Sequence, residues 1–319
     1  MKGLALFLLF LALLPARAHA ACPADHASKD IFAYPALMET HVAFKDYEVR
    51  IFDSNVCGDD APFRQRSGFE ILKAGVSVYR QTGFSFAIGY PLQDDQSTDS
   101  IKLRVGDDIM GSGEPGLLIS EWSGGAHCCY TFHVFQLGTT FRKIQSIPLL
   151  DADGSSFVRR PGTEGMVLYT ADYSDFAYFP YGFGGSPAGR VFMSFQGGRF
   201  RPDLELMRSN TATKADVEAC AKLFKQSRDW RELIAPQPKG MWYYATDLIY
   251  TGNADAAWAF LDGAWGGSEK DKFRYLKEYR QRLQKSMYYQ ELMQLQKTPA
   301  SGENQKIDWT KQCFEYMHG

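Results

Sequence analysis

The densest run of reactive side chains is Glu121-Trp122-Ser123-Gly124-Gly125-Ala126-His127-Cys128-Cys129, followed by His133. A carboxylate, an imidazole and two thiols this close could hold a metal ion or run thiol chemistry. Setting Ser123–Ala126 as a hairpin turn puts Trp122 opposite His127 and Glu121 opposite Cys128. Alternation then sends His127, Cys129 and His133 to one face, and Cys128, Tyr130 and Phe132 to the other. A strand rises about 3.3 Å per residue, so His127 and His133 lie about 20 Å apart and do not share a metal on a straight strand. His127 with Cys129 supplies two ligands where Zn²⁺ takes four, or three plus water. Further ligands would come from His26 or His41. A thiol nucleophile outside the cytoplasm must also escape oxidation. Against these stands a structural reading. Cys128 and Cys129 form a vicinal disulfide, pair with other cysteines, or sit buried as free thiols, and the sequence leaves all three open. The catalytic candidates are therefore Glu121, His127, Cys128 and Cys129.

A second constellation is aromatic. Tyr173, Phe176, Tyr178, Phe179, Tyr181 and Phe183 crowd between Asp172 and Gly184. Such a loop can stack on sugar rings or anchor a protein partner, because each ring brings apolar area at low entropic cost. It can equally fold down and pack. Tyr173, Phe176, Tyr178 and Tyr181 are the candidate ligand-binding residues. Other motifs fail. Gly111-Ser112-Gly113-Glu114-Pro115-Gly116 matches a dinucleotide fingerprint, but a strand-like run follows where a helix is required. No nucleophile elbow, zincin motif or P-loop is present.

The chain opens with Lys2, an apolar run Leu4–Leu14, Pro15 and Ala18-His19-Ala20. These are the three parts of a secretory signal, predicting cleavage near residue 20 and a periplasmic or extracellular protein. The run is shorter than the roughly 20 residues that span a bilayer, and no later segment is long and apolar enough. Cys22 near the cleavage site would allow a lipid anchor, but His19 stands where such signals carry Leu. The balance of 35 basic and 37 acidic residues argues against nucleic acid as the main partner. All six cysteines (Cys22, Cys57, Cys128, Cys129, Cys220 and Cys313) follow the leader. In an oxidising compartment an even number favours pairing, and proximity favours Cys22–Cys57 and Cys220–Cys313.

Residues 22–208 read as a β-rich domain. Asp46–Phe52, Phe69–Lys73, Val76–Tyr79, Phe84–Ile88, Gly116–Trp122, Cys129–Leu137, Phe141–Ile147, Met166–Tyr169 and Arg190–Phe195 form short apolar-polar runs between turn signals. Gln196-Gly197-Gly198-Arg199 reads as a hairpin turn. Asp108-Ile109-Met110-Gly111-Ser112-Gly113 and Asp151-Ala152-Asp153-Gly154-Ser155 each open a strand group, at a period of about 40–50 residues. This predicts blade-like antiparallel sheets, too few to close a propeller.

The stretch Asp108–Phe141, centred on Gly124-Gly125-Ala126-His127-Cys128-Cys129, resembles a group of secreted bacterial proteins of unknown function. They carry that signature after an FG-GAP/VCBS-like repeat. The resemblance spans about residues 66–206 and implies no assigned chemistry. FG-GAP-like loops usually hold Ca²⁺ between acids, but Met110 and Ser112 stand where acids are expected. Only Asp151 and Asp153 are placed to help a Ca²⁺, which wants six to eight oxygens. No resident cofactor is expected.

After Ser209 the pattern turns helical. Thr213 with Asp216 caps a first helix bearing Val217, Cys220, Leu223 and Phe224 on one face. Met241–Ile249 and a helix after Asn253 form an αα-hairpin like a single tetratricopeptide unit. Ser268 with Asp271 caps a long helix with a stripe of Phe273, Leu276, Leu283 and Met287. The expected architecture is α+β: the β-rich domain, then a helical domain over residues 209–316. The expected function is a non-enzymatic envelope module that binds a ligand or protein. The alternative is a metal- or thiol-dependent enzyme centred on His127, Cys128 and Cys129.

Overall fold

A computed structural model describes residues 30–53, 67–90, 103–125, 128–176, 178–227, 238–297 and 305–318. The leader, Cys22, Cys57 and His26 lie outside them. The described strands form three four-stranded antiparallel sheets, each a meander in chain order. The first holds β1 (Met38–Phe44), β2 (Tyr47–Asp53), β3 (Ser67–Lys73) and β4 (Val76–Gly83). The second holds β5 (Ser85–Ile88), β6 (Gly116–Gly125), β7 (Cys128–Leu137) and β8 (Phe141–Leu150). The third holds β9 (Ser156–Val158), β10 (Val167–Asp172), β11 (Gly189–Gln196) and β12 (Arg199–Pro202). Pairing of Gln196 with Arg199 closes the expected β11–β12 hairpin. No closed propeller is formed by the described residues. Strand β6 follows Gly116, so the glycine fingerprint leads into a strand. Strand β1 has no counterpart among the sequence expectations. Most of its residues are exposed or half-buried, so it lacks an apolar face to recognise.

The central strands of the second sheet, β6 and β7, are covered on both faces. Leu117, Ile119, Phe135 and Leu137 pack against Val49, Ile51, Phe69 and Ile71 of the first sheet. Leu118, Phe132, Val134, Ile147 and Leu149 point the other way, into a cluster shared with the third sheet and the helices. Two apolar faces on one strand explain the continuous run Gly116–Ser120, all buried. Each fully buried Leu, Ile or Phe here contributes about 1.5–3 kcal/mol.

The helices are α1 (Leu204–Met207), α2 (Lys214–Lys225), α3 (Lys239–Tyr250), α4 (Ala254–Ala264), α5 (Glu269–Gln284), α6 (Tyr289–Lys297) and α7 (Trp309–His318). The Thr213–Asp216 capping box is present on α2, and Asp271 N–H donates to Ser268 Oγ on α5. Asn253 makes no cap with its side chain. It instead accepts from Ala212 N–H and donates to Ser209 Oγ, stitching the α3–α4 link to the chain before α2. The expected α5 stripe is corrected. Phe273 is 72% and Met287 43% exposed, while Tyr279 and Leu283 are buried. The helix ends at Gln284, capped by Lys285, and a separate α6 follows. Phe273 and Tyr279 lie on opposite sides of the Leu276–Leu283 line, and the core covers the Tyr279 side. Leu223 is likewise 40% exposed, although Val217, Cys220 and Phe224 are buried as expected.

Cys220 and Cys313 form a disulfide with Cα atoms 5.9 Å apart, joining α2 to α7 across 93 residues. Closing so long a loop restricts the unfolded chain. Replacing both cysteines by Ala is expected to cost about 2–4 kcal/mol. Denaturant unfolding checks this; an unchanged midpoint would contradict a stabilising role for the bridge.

Candidate functional site

The aromatic loop is built from its first residue. Asp172 ends β10 and is 1% exposed. Its carboxylate accepts from Ser174 N–H at 2.8 Å and from the Ser174 hydroxyl. It also accepts from the Tyr250 hydroxyl of α3 at 2.5 Å and from the Ser286 hydroxyl between α5 and α6. Burial, then the Asp172 charge, pushes the Tyr250 hydroxyl well above its ordinary value, so it stays a donor. The next residues are clasped by the end of α5. Met287 N–H donates to Ser174 Oγ at 3.0 Å, Arg282 donates to Asp175 O at 2.6 Å, and Lys285 lies 3.3 Å from the Asp175 carboxylate.

Phe176 and Phe179 are then driven inward, each 1% exposed or less. Both rings pack on Tyr279, and Phe179 also meets Trp242 edge-on at 5.1 Å. Phe176, expected to bind ligand, is therefore an anchor, because its ring is spent inside the core. Tyr178 takes the opposite course. Its backbone has φ +64°, and its side chain is 58% exposed. Its N–H donates to Ser186 Oγ at 3.1 Å. For a non-glycine residue the left-handed region costs about 1–2 kcal/mol. Tyr173 and Phe183 stack at 5.6 Å, and Tyr178 meets Phe183 at 6.3 Å. Tyr181 is half-buried against the core. A Cβ added at Gly185 would sit 2.5 Å from Tyr181 Cβ, so only glycine lets the loop fold back this tightly.

Around this rim lie polar groups from other elements. Burial first, then Asp153, Tyr243, Asp151 and Tyr169, raises the Tyr173 hydroxyl above its usual value. Burial and Asp153 do the same to Tyr130. Tyr243 donates to Gly184 O at 3.3 Å and packs on Tyr316 at 5.8 Å. Tyr316 and Arg190 both donate to Asp247, at 2.5 and 3.2 Å. Burial holds the Asp247 carboxyl above its ordinary range, against the pull of Arg190 and the Tyr316 hydrogen bond. The rim thus combines stacked rings with phenols and carboxylates.

The Glu121–Cys129 segment is arranged differently from the expected hairpin. Trp122 pairs with Tyr130, Glu121 with Thr131, and Gly125 with Cys128. The register shifts between Trp122 and Gly125, where Gly124 has φ +90°. This bulge carries the strand beyond the expected turn. A Cβ on Gly124 would meet the Phe84 ring at 2.7 Å. His127 and the Cys128 side chain lie outside the described residues. Cys129 is disulfide-bonded, and its N–H donates to Ser123 Oγ at 2.8 Å. A disulfide sulfur is not a thiolate, so Cys129 in this state is no nucleophile. His41 lies on β1, 3.3 Å from Glu48. Asp108 accepts from Ser112 and Gly113 N–H, so its carboxylate is committed to its own loop. Among the described residues no group of three or more His, Cys, Asp or Glu is placed to hold a metal.

Glu121 does find an imidazole, but it is His133. Its Oε2 lies 2.8 Å from His133 Nε2 and accepts from Gln81 at 3.0 Å. His133 Nδ1 lies 2.8 Å from Ser146 Oγ, on the paired residue of β8. His133 is 3% exposed and shares its face with Phe69. Gln81 and Ser146 carry no motif, and only strand register brings them here.

A hollow of about 720 Å³ lies elsewhere, between α2 and α4, lined by Ala212, Val217, Ala221, Ala259 and Gly263 with Glu218 and Asp255.

No protein-family model matches this chain, and neither a curated protein nor a solved structure is found to be similar to it.

Proposed function

We propose that this chain is exported through its N-terminal leader and acts as a binding module of the cell envelope, taking a saccharide on the Tyr173–Phe183 rim. The observation that carries this is Tyr178. It is held in the left-handed region by a loop that buries Phe176 and Phe179 on either side, yet its ring is given to solvent. Backbone strain of this kind persists where the surroundings over-determine it, and it concentrates at ligand clamps. Ring faces stack on the apolar faces of sugars, while the phenol hydroxyls of Tyr173 and Tyr178 suit sugar hydroxyl groups. The three meanders support a blade-like reading, with the second and third as degenerate FG-GAP-like units; the likeness to secreted bacterial proteins with the Gly-Gly-Ala-His-Cys-Cys signature belongs to the same proposal.

Tyr178→Gly separates function from folding. Glycine enters the left-handed region without strain, so thermal stability is expected to hold within about 0.5 kcal/mol. The affinity read by co-sedimentation with insoluble envelope polysaccharide is expected to fall about fivefold, since one stacked ring is worth about 1 kcal/mol. A variant that melts earlier and binds as before would make Tyr178 a packing residue. A wild-type chain that stays in the supernatant would overturn the saccharide reading.

A second reading rests on the Glu121–His133–Ser146 chain. With Nε2–H held by Glu121, His133 Nδ1 could take the Ser146 proton as Oγ attacks an ester carbonyl. The proton would then leave with the alcohol, and water would release the acyl group. Ser146 is exposed, as this requires. A fluorophosphonate probe distinguishes the readings. The binding reading expects no adduct by intact mass; an adduct at Ser146 that vanishes in His133→Asn would establish the hydrolytic one.

A further inference from the structure

The solvent face of α5 is charged on one side only. At 100° per residue, Lys270, Phe273, Arg274, Lys277, Arg280, Gln281, Gln284 and Lys285 share one arc of the helix and its cap, and all are exposed. No carboxylate falls within that arc. The acids of the helix, Glu269, Asp271 and Glu278, stand on its two flanks. The protein as a whole carries slightly more acid than base, so this face is a local excess of cations.

Two features mark it as more than a solvated helix side. Phe273 stands within the arc at 72% exposure, and Met287 lies just beyond the helix end at 43%. The cations are also only loosely committed. Arg274 pairs with Asp271 at 3.0 Å and Lys285 with Asp175 at 3.3 Å, both exposed pairs of small worth. Lys270 and Lys277 have no ion-pair partner among the described residues. Arg280 lies over the Trp258 ring at 4.5 Å. A hollow of about 590 Å³ runs beside Phe273, Arg274, Lys277 and Lys285, with Asp175 and Glu278 at its flank, so cations outnumber acids along it.

We infer that the α5 face docks the protein on an anionic phospholipid surface. Phosphate headgroups attract the lysine and arginine side chains, and the Phe273 ring enters the boundary between headgroups and acyl chains. A soluble polyanion would satisfy the cations and leave Phe273 in water, so the protruding ring favours a bilayer. The rest of α5 is fixed by Tyr279 and Leu283 in the core, so the face is presented without ordering cost. The site adjoins the clasp of the aromatic loop through Lys285 and Asp175, but it does not rest on the saccharide reading, and vesicle binding tests it without any saccharide.

The test uses the exported full chain and vesicles of phosphatidylglycerol in phosphatidylcholine, read by co-sedimentation. Binding is expected with the anionic vesicles, absent with phosphatidylcholine alone, and reduced by raising the salt. Lys270→Glu with Lys277→Glu should weaken it at least tenfold. Phe273→Ser should weaken vesicle binding severalfold while leaving retention on a heparin column unchanged. All three positions are exposed, and unchanged melting curves confirm folding. No binding to anionic vesicles at low salt overturns the inference. So does equal binding to neutral vesicles, or retention on heparin without vesicle binding, which would point to an acidic polymer instead.

Discussion

One buried carboxylate organises the half of the molecule that carries the aromatic loop. Asp172 draws donors from the loop it begins, from α3, and from the junction of α5 and α6. Hydrogen bonds to a charged group are worth about 1.5–3 kcal/mol each, and leaving such a charge without them is costly. The sheet end and the helices are therefore compelled to meet at this point. Everything that follows in the loop depends on that meeting. Arg282 and Lys285 clasp Asp175, Phe176 and Phe179 reach Tyr279, and Tyr178 is left outside.

The second sheet supplies the matching constraint on the other side. Because both faces of its central strands are covered, the polar residues there must find partners within the sheet stack. Glu121, His133, Gln81 and Ser146 do so as a single chain between the first and second sheets. Burial of His133 among Phe69 and Phe86 gives that chain its rigidity. Its ordinary role is to fix the register of two sheets, and Ser146 is its exposed end.

Much of the architecture was legible in the sequence, because apolar periodicity and caps report burial directly. The β2 to β8 strands, the Thr213–Asp216 box and the Cys220–Cys313 bridge are examples. What escaped depended on tertiary choice. Alternation foretold that Phe132 and His133 face opposite ways, but the Gly124 bulge moved the partners of Glu121 and Trp122. Leucine spacing on α5 pointed to Phe273, while the core accepted Tyr279. The aromatic loop was visible as composition, yet nothing in its pattern separates the anchoring Phe176 from the presented Tyr178. That division is made by Tyr279 and Trp242, distant in sequence. Asp172 read only as the start of the loop, since its donors come from Tyr250 and Ser286.

The claim that Asp172 holds the rim in place is tested most directly by hydrogen–deuterium exchange on Asp172→Asn. Tyr250 and Ser286 donate to one carboxylate oxygen and Ser174 to the other, and an amide offers one acceptor where the carboxylate offers two, so the hub loses one of these two sets of donors. Faster exchange is predicted over residues 173–186 and at the α5–α6 junction, with the first sheet unchanged. Protection that stays at wild-type levels in both segments, or falls uniformly through the chain, would contradict the account.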